Sequence, residues 1–284
     1  TPFQIHVLGV YYWRGDNMSD QGNNLNLIPK AIDNAATNLT DQPTKAIGET
    51  LSEIWYLTIG GPIHQAAIKR KERYAIEAEK FKEEVIQKVD SIPKEHQVEP
   101  DFQIASTALN DAKFCLENEE IREMFANLIA SASDSTKASD ALPIFSDIIR
   151  KMTSRDASNL ASFGNVSGHP IAIYRHWISK TEYFDAMKNV FLLNKKYSDL
   201  RKQSASINTL CTLGLVEVNY DKKIHASAYS AFYETADYKA LVESCKVMNK
   251  ISPKNLPPQF QKLFPQNVRV EVIGGMVELT ELGS

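Results

Sequence analysis

Between Val98 and Ala157 apolar residues recur at three- and four-residue intervals, and proline, glycine and capping residues cut the recurrence into short units. That period places each apolar set on one helical face, so the segment has to bury a series of amphipathic helices against one another. Ala105, Leu109, Ala112 and Leu116 make one stripe. Ile121, Met124, Phe125, Leu128, Ile129 and Ala132 make a second, with Glu117-Asn118-Glu119 at its N-terminus, where the helix dipole favours acids. After a polar loop from Asp134 to Asp140, Pro143 occupies a first-turn position of a helix carrying Phe145, Ile148, Ile149 and Met152 inward. Ser154 is read as the cap of a further short helix, with Ala157, Leu160 and Ala161, that Gly164 ends.

Upstream, Ile63 to Val89 reads as one long helix with Ala67, Tyr74, Ala78, Phe81, Val85 and Val89 on its buried face. The run Lys69 to Arg73 is foremost a solvated face, with contact to anionic lipid as the alternative use. A helix from about Lys45 to Ile59 precedes it, divided from it by Gly60-Gly61-Pro62. Within that helix Trp55, Tyr56 and Leu57 are consecutive, so one face cannot bury all three. They form a candidate switch or interface, against the plainer reading that they pack inside the bundle or in a homodimer seam. No segment has the ~20 apolar residues of a membrane span. Residues 1–44 read as a leader and mobile segment. Residues 1–17 lack the basic region and cleavage site of a signal peptide, and Met18, which opens a polar segment, is taken as the natural start, against the alternative that residues 1–17 are a genuine N-terminal strand.

Gly164–Pro170 is the best domain boundary, and beyond it the period shortens to two near Leu215 and again near Val268. The sequence predicts a linker over 166–180, a helix near Tyr183 to Leu200, and a second helix that Ser204 caps and Gly214 ends. A strand at Leu215 to Val218 follows, and then a hairpin of Val268–Ile273 and Met276–Thr280 turning at Gly274-Gly275. The expected fold class is mainly α. A helical bundle over 45–165 is followed by a winged-helix-like α+β C-terminal module over 181–284, with an insertion at about 227–263.

The net charge of −3 excludes a surface basic throughout, but the charge is uneven. From Ala186 onward there are 13 Lys/Arg against 9 Asp/Glu, an excess of +4. Lys195, Lys196, Arg201 and Lys202 precede the expected recognition helix, whose outer positions would include Ser206, Asn208 and Thr209; Lys222 and Lys223 fall near the wing. These are the candidate contacts to nucleic acid or to a partner protein, with protein placed ahead.

Catalytic signatures are absent from the sequence: there is no phosphate-binding loop, dinucleotide fingerprint, HExxH or GxSxG, and no cofactor is expected. Cys115, Cys211 and Cys245 are few, scattered and among apolar residues. They read as buried thiols of a protein in a reducing cytoplasm. His169 and His176 have no carboxylate or cysteine at metal-ligand spacing and read as surface or capping residues.

Ile92-Pro93, Val98-Glu99-Pro100, the helix from Arg122 to Ala132 with Phe125 and Leu128, Pro143-x-Phe145 and Arg155-Asp156-Ala157 together resemble the abortive-infection Abi-alpha family, also described as a domain of unknown function. The likeness spans Ile47 to Ala157, and more loosely Ile207 to Val218 and Met276 to Gly283. It implies defence of a bacterium against phage, in which an infected cell halts before the phage multiplies. It carries over no catalytic residue. The expectation is a non-enzymatic defence protein acting through a protein partner, a homo-oligomer or a peripheral membrane contact. A DNA-binding regulator is the alternative, and an enzyme with a site assembled from distant residues the third reading.

Overall fold

The computed structural model describes residues 50, 51, 54, 55, 59, 68–166, 168–252, 254, 257 and 267–283. The expected leader over 1–44, Tyr56, Leu57 and the Gly60-Gly61-Pro62 hinge lie outside them. Among the described residues eight labelled helices and four strands follow one another along the chain.

Five helices come first: α1 (Ile68–Asp90), α2 (Phe102–Ala112), α3 (Glu119–Ala132), α4 (Ile144–Arg150) and α5 (Ser154–Ala161). Their starts are set by capping side chains. Asp101 accepts from the Gln103 and Ile104 amides, and Asn118 accepts from that of Ile121. Thr153, one residue before the expected Ser154, closes a capping box with Asp156. α3 is the hub: α1, α2, α4 and α5 all pack on it, and Ile121, Phe125, Ala126 and Ile129 are fully buried in the contact. Arg122 on the same helix is buried too. Its guanidinium reaches Glu84 at 2.7 Å and Glu77 at 2.6 Å on α1, and the Leu116 carbonyl at 2.9 Å, which offsets the desolvation of the charge.

The second half departs from expectation. β1 (His169–Trp177) lies where a linker was expected, and β2 (Tyr183–Phe191) where a helix was. Then come α6 (Leu200–Thr212), β3 (Val216–Asn219), the short α7 (Ser230–Tyr233), α8 (Ala236–Lys250) and β4 (Arg269–Leu279). The four strands form one antiparallel sheet in the order β2-β1-β4-β3. A mainly α bundle with a winged-helix-like module is therefore corrected to an α+β fold with a curled four-stranded sheet.

The reasons are physical. Ile171-Ala172-Ile173-Tyr174 is buried on both faces of the sheet, so it shows no alternation and mimics an apolar linker. β2 carries Ala186, Met187 and Lys188, good helix formers, but pairing with β1 overrides that propensity. Gly274-Gly275 makes no hairpin: β4 runs straight through it for 11 residues. Two rings cross the strand there. A Cβ on Gly274 would stand 2.7 Å from the Tyr229 ring, and one on Gly275 2.5 Å from that of Tyr220.

One apolar core runs from the helices into the sheet, with Phe81, Phe125 and Ile129 at one end and Ile171, Phe191, Ile207, Leu210 and Val277 at the other. α6 sits between α5 and strands β2 and β3. A second cluster, with Ala172, Tyr174, Met187 and Phe232, packs on the opposite face of the sheet beneath α7 and α8. No helix among the described residues is long and apolar enough to cross a membrane.

Candidate binding surface

The expected site residues separate into two places. Lys195 and Lys196 lie in the loop before α6, Arg201 and Lys202 in its first turn, and Lys222 and Lys223 in the turn after β3. All six are exposed, yet three are paired with acids of this chain. Lys196 meets Glu120 at 2.8 Å, Lys202 meets Asp199 at 3.7 Å and Lys222 meets Glu278 at 2.6 Å. These carboxylates hold the Lys196 and Lys222 ammonium groups above the usual lysine range. No ion pair joins the two groups among the described residues.

Of the outer positions expected on α6, Ser206 faces inward. Ser206, Gln203 and Ile207 are buried. Asn159 on α5 donates to Gln203 and to Ser206, both at 2.9 Å, and Ser206 donates to Asp156 at 2.5 Å. Asn194 donates to the Asn159 side-chain oxygen at 2.8 Å. This closed network commits Gln203 and Ser206 of α6 to docking α5, while Asn208 is exposed and Thr209 half-buried. Trp55 is also buried, 5.8 Å from the Phe81 ring.

A different cluster gathers at the far end of the sheet. Trp177 at the end of β1 faces Tyr183 on β2 and Arg269 on β4, and Arg175 faces Asp185 and Glu271 on the same strands. The Trp177 and Tyr183 rings are 4.9 Å apart. The Arg269 guanidinium lies 4.7 Å from the Trp177 ring centre and that of Arg175 lies 3.9 Å from Tyr183. Glu271 accepts from the Trp177 indole N–H at 2.7 Å, and Asp185 from Arg175 at 2.8 Å. That hydrogen bond holds the Arg175 guanidinium above its ordinary range, against the smaller pull of burial. Both carboxylates are thus committed within the sheet, whereas Arg269 stacks on a ring with no ion pair among the described residues. Tyr183 is 47 % exposed. The surface can grip a planar or anionic group. It was hidden from the sequence because the alternation Arg175-x-Trp177 and Tyr183-x-Asp185 has meaning only once both stretches are strands.

The reverse face of the same sheet holds a thiol–imidazole contact. Cys245 of α8 lies 3.3 Å from His176 Nε2, and Phe184 stacks on the imidazole at 4.9 Å. His176 is therefore a core residue, not the surface or capping group expected. Burial pushes the thiol up and the imidazole down, so the pair is neutral near pH 7, the opposite of an activated thiolate–imidazolium couple. No group of three His, Cys, Asp or Glu among the described residues could hold a metal ion.

The sequence model of the family described as abortive infection alpha matches residues 73–284, which include all three strands of the sheet-end cluster and the α5–α6 network. No curated protein and no solved structure matches the chain.

Proposed function

This chain belongs to the abortive infection alpha family, and from that premise we propose that it protects a bacterial cell against phage by binding a macromolecular partner, without catalysing a reaction. The observation that carries the binding reading is the open end of the sheet. Trp, Tyr and Arg are the residues that dominate binding energy at interfaces, and here they are brought together from three strands on one face. Their geometry is fixed by cross-strand pairing, so little order has to be gained on binding.

The test is phage challenge of bacteria expressing the chain, comparing wild type with Tyr183→Ala and Arg269→Glu. Both positions are exposed, so substitution spares the core. Protection by wild type and loss with either folded variant is the expected outcome. Equal protection by all three removes this surface from the function. A DNA-binding regulator reading through Lys222 and Lys223 is tested in the same assay by Lys222→Ala/Lys223→Ala, which is expected to protect like wild type.

A further inference from the structure

We propose that Arg155, with Lys195 and Arg201, forms a binding site for a phosphate dianion between the first turn of α5 and the loop that leads into α6. The site is separate from the sheet-end surface. β2 runs from Tyr183, which belongs to that surface, to Phe191, and the loop follows from its other end.

The observation that points to a ligand is an arginine without an acceptor. Arg122, Arg150 and Arg175 each donate to carboxylates of this chain. The Arg155 guanidinium lies 4.1 Å from the Tyr197 ring centre, yet none of its donors has a hydrogen bond or ion pair among the described residues, and its Nη1 is buried. A buried donor left unmet destabilises the fold. The ring beneath it fixes the plane of the guanidinium without satisfying its N–H groups, which keeps the fork set for a planar two-point contact with an oxyanion. Arg155 as a whole is half-buried, so a small anion reaches it and a broad partner surface does not.

The second observation is charge. The segment 194–202 and the ionisable side chains it contacts bring together Arg155, Lys195, Lys196, Arg201 and Lys202 against two carboxylates, Glu120 and Asp199. Glu120 is engaged by Lys196 at 2.8 Å and Asp199 by Lys202 at 3.7 Å. Arg155, Lys195 and Arg201 are the cations left over. Asp199 links them in space: its carboxyl is held below the usual range by the Lys202 amide first, and the Arg155 charge adds to this, so the first turn of α6 stands beside that guanidinium. One carboxylate would leave two of the three charges unmet. A phosphate group brings nearly two negative charges and three acceptor oxygens, the better match in both charge and donor count.

The experiment follows thermal unfolding of the full chain against rising inorganic phosphate or uridine monophosphate, with acetate and chloride at matched ionic strength. Phosphate stabilises proteins in general by exclusion from their surface, so the reading is the saturable part of the rise and its apparent dissociation constant. Wild type is expected to show a saturable rise with a phosphate ligand and none with acetate or chloride. Arg155→Gln should weaken that binding about tenfold, the scale of a lost charge-assisted hydrogen bond. Arg155→Lys, which keeps the charge but not the fork, should weaken it about threefold, while Lys222→Ala/Lys223→Ala stays within about twofold of wild type. Saturation by inorganic phosphate identifies the free ion as a sufficient ligand; saturation by the nucleotide alone identifies a phosphomonoester. Should circular dichroism show that Arg155→Gln does not fold, Lys195→Gln/Arg201→Gln, at two exposed positions, carries the test with the same loss expected. No saturable rise in wild type, or an equal rise with acetate, overturns the proposal. So does a variant that lowers the starting midpoint yet keeps wild-type phosphate affinity, which would make Arg155 a structural partner of Tyr197 only.

Discussion

The most consequential single residues here are ionisable groups whose charge states are set by their surroundings. His176 is held neutral by burial; among the described residues its Nε2 meets the Cys245 sulfur and its Nδ1 has no hydrogen-bond partner. Its folded pKa lies below the ordinary 6.5. The unfolded chain therefore takes up the proton first, and the stability that His176 contributes is complete above about pH 6.5 and drains as pH falls through the lower folded value. Urea titrations from pH 7.5 to 5 should show this loss, and His176→Gln should flatten it. An equal slope in the variant would assign the loss to other groups. Glu77 acts further down the scale. Its carboxyl is held below the ordinary 4.5 mainly by the hydrogen bond from Lys80, with Arg122 adding to it. Its contribution is complete above about pH 4.5 and is lost only below that, so the two effects fall in separate windows. Arg122 itself joins α1 to α3. Arg122→Ala strands two carboxylates, both partly open to water, and is expected to cost about 3 kcal/mol in urea denaturation, the lower end for a broken buried pair.

At the scale of elements the decisive feature is how strand and ring share space. Tyr229 lies across β4 at Gly274 and donates to the Gly275 carbonyl at 2.9 Å, so the glycine pair admits a ring where any side chain would collide. Gly274→Ala should cost about 1–3 kcal/mol by overpacking, read as a lower denaturation midpoint with an unchanged slope. A neutral result would mean the ring swings aside freely. The same pair shows how a correct local signal can be assigned a wrong meaning. Two glycines between β-rich runs are a hairpin signal on their own, and only the ring above them makes them a straight strand. β1 and β2 carry the same lesson. Ile171 to Tyr174 is a run without period because both faces are covered, and the helix-forming Ala186, Met187 and Lys188 yield to pairing. By contrast α1 to α5 were legible, since each has one covered face and one wet face, and the period survives in the sequence.

For the whole molecule, the helices and the sheet share one core and are tied by the Asn159–Gln203–Ser206–Asp156 network between α5 and α6. Unfolding followed by far-UV circular dichroism and by tryptophan emission should therefore give coincident transitions. Asn159→Ala, which leaves Asn194, Gln203 and Ser206 short of partners, should lower the common midpoint by about 1–3 kcal/mol without splitting it. Two separated transitions would show instead that the halves fold as independent units. Family membership and the helical half were set by features that act within one helix: apolar period, proline position and capping side chains are local and leave their mark in order along the chain. The sheet and its binding surface were decided by tertiary structure alone. Trp177, Tyr183 and Arg269 come from three strands, and a residue's partner across a sheet is chosen by pairing register, a long-range property that no short stretch of sequence contains.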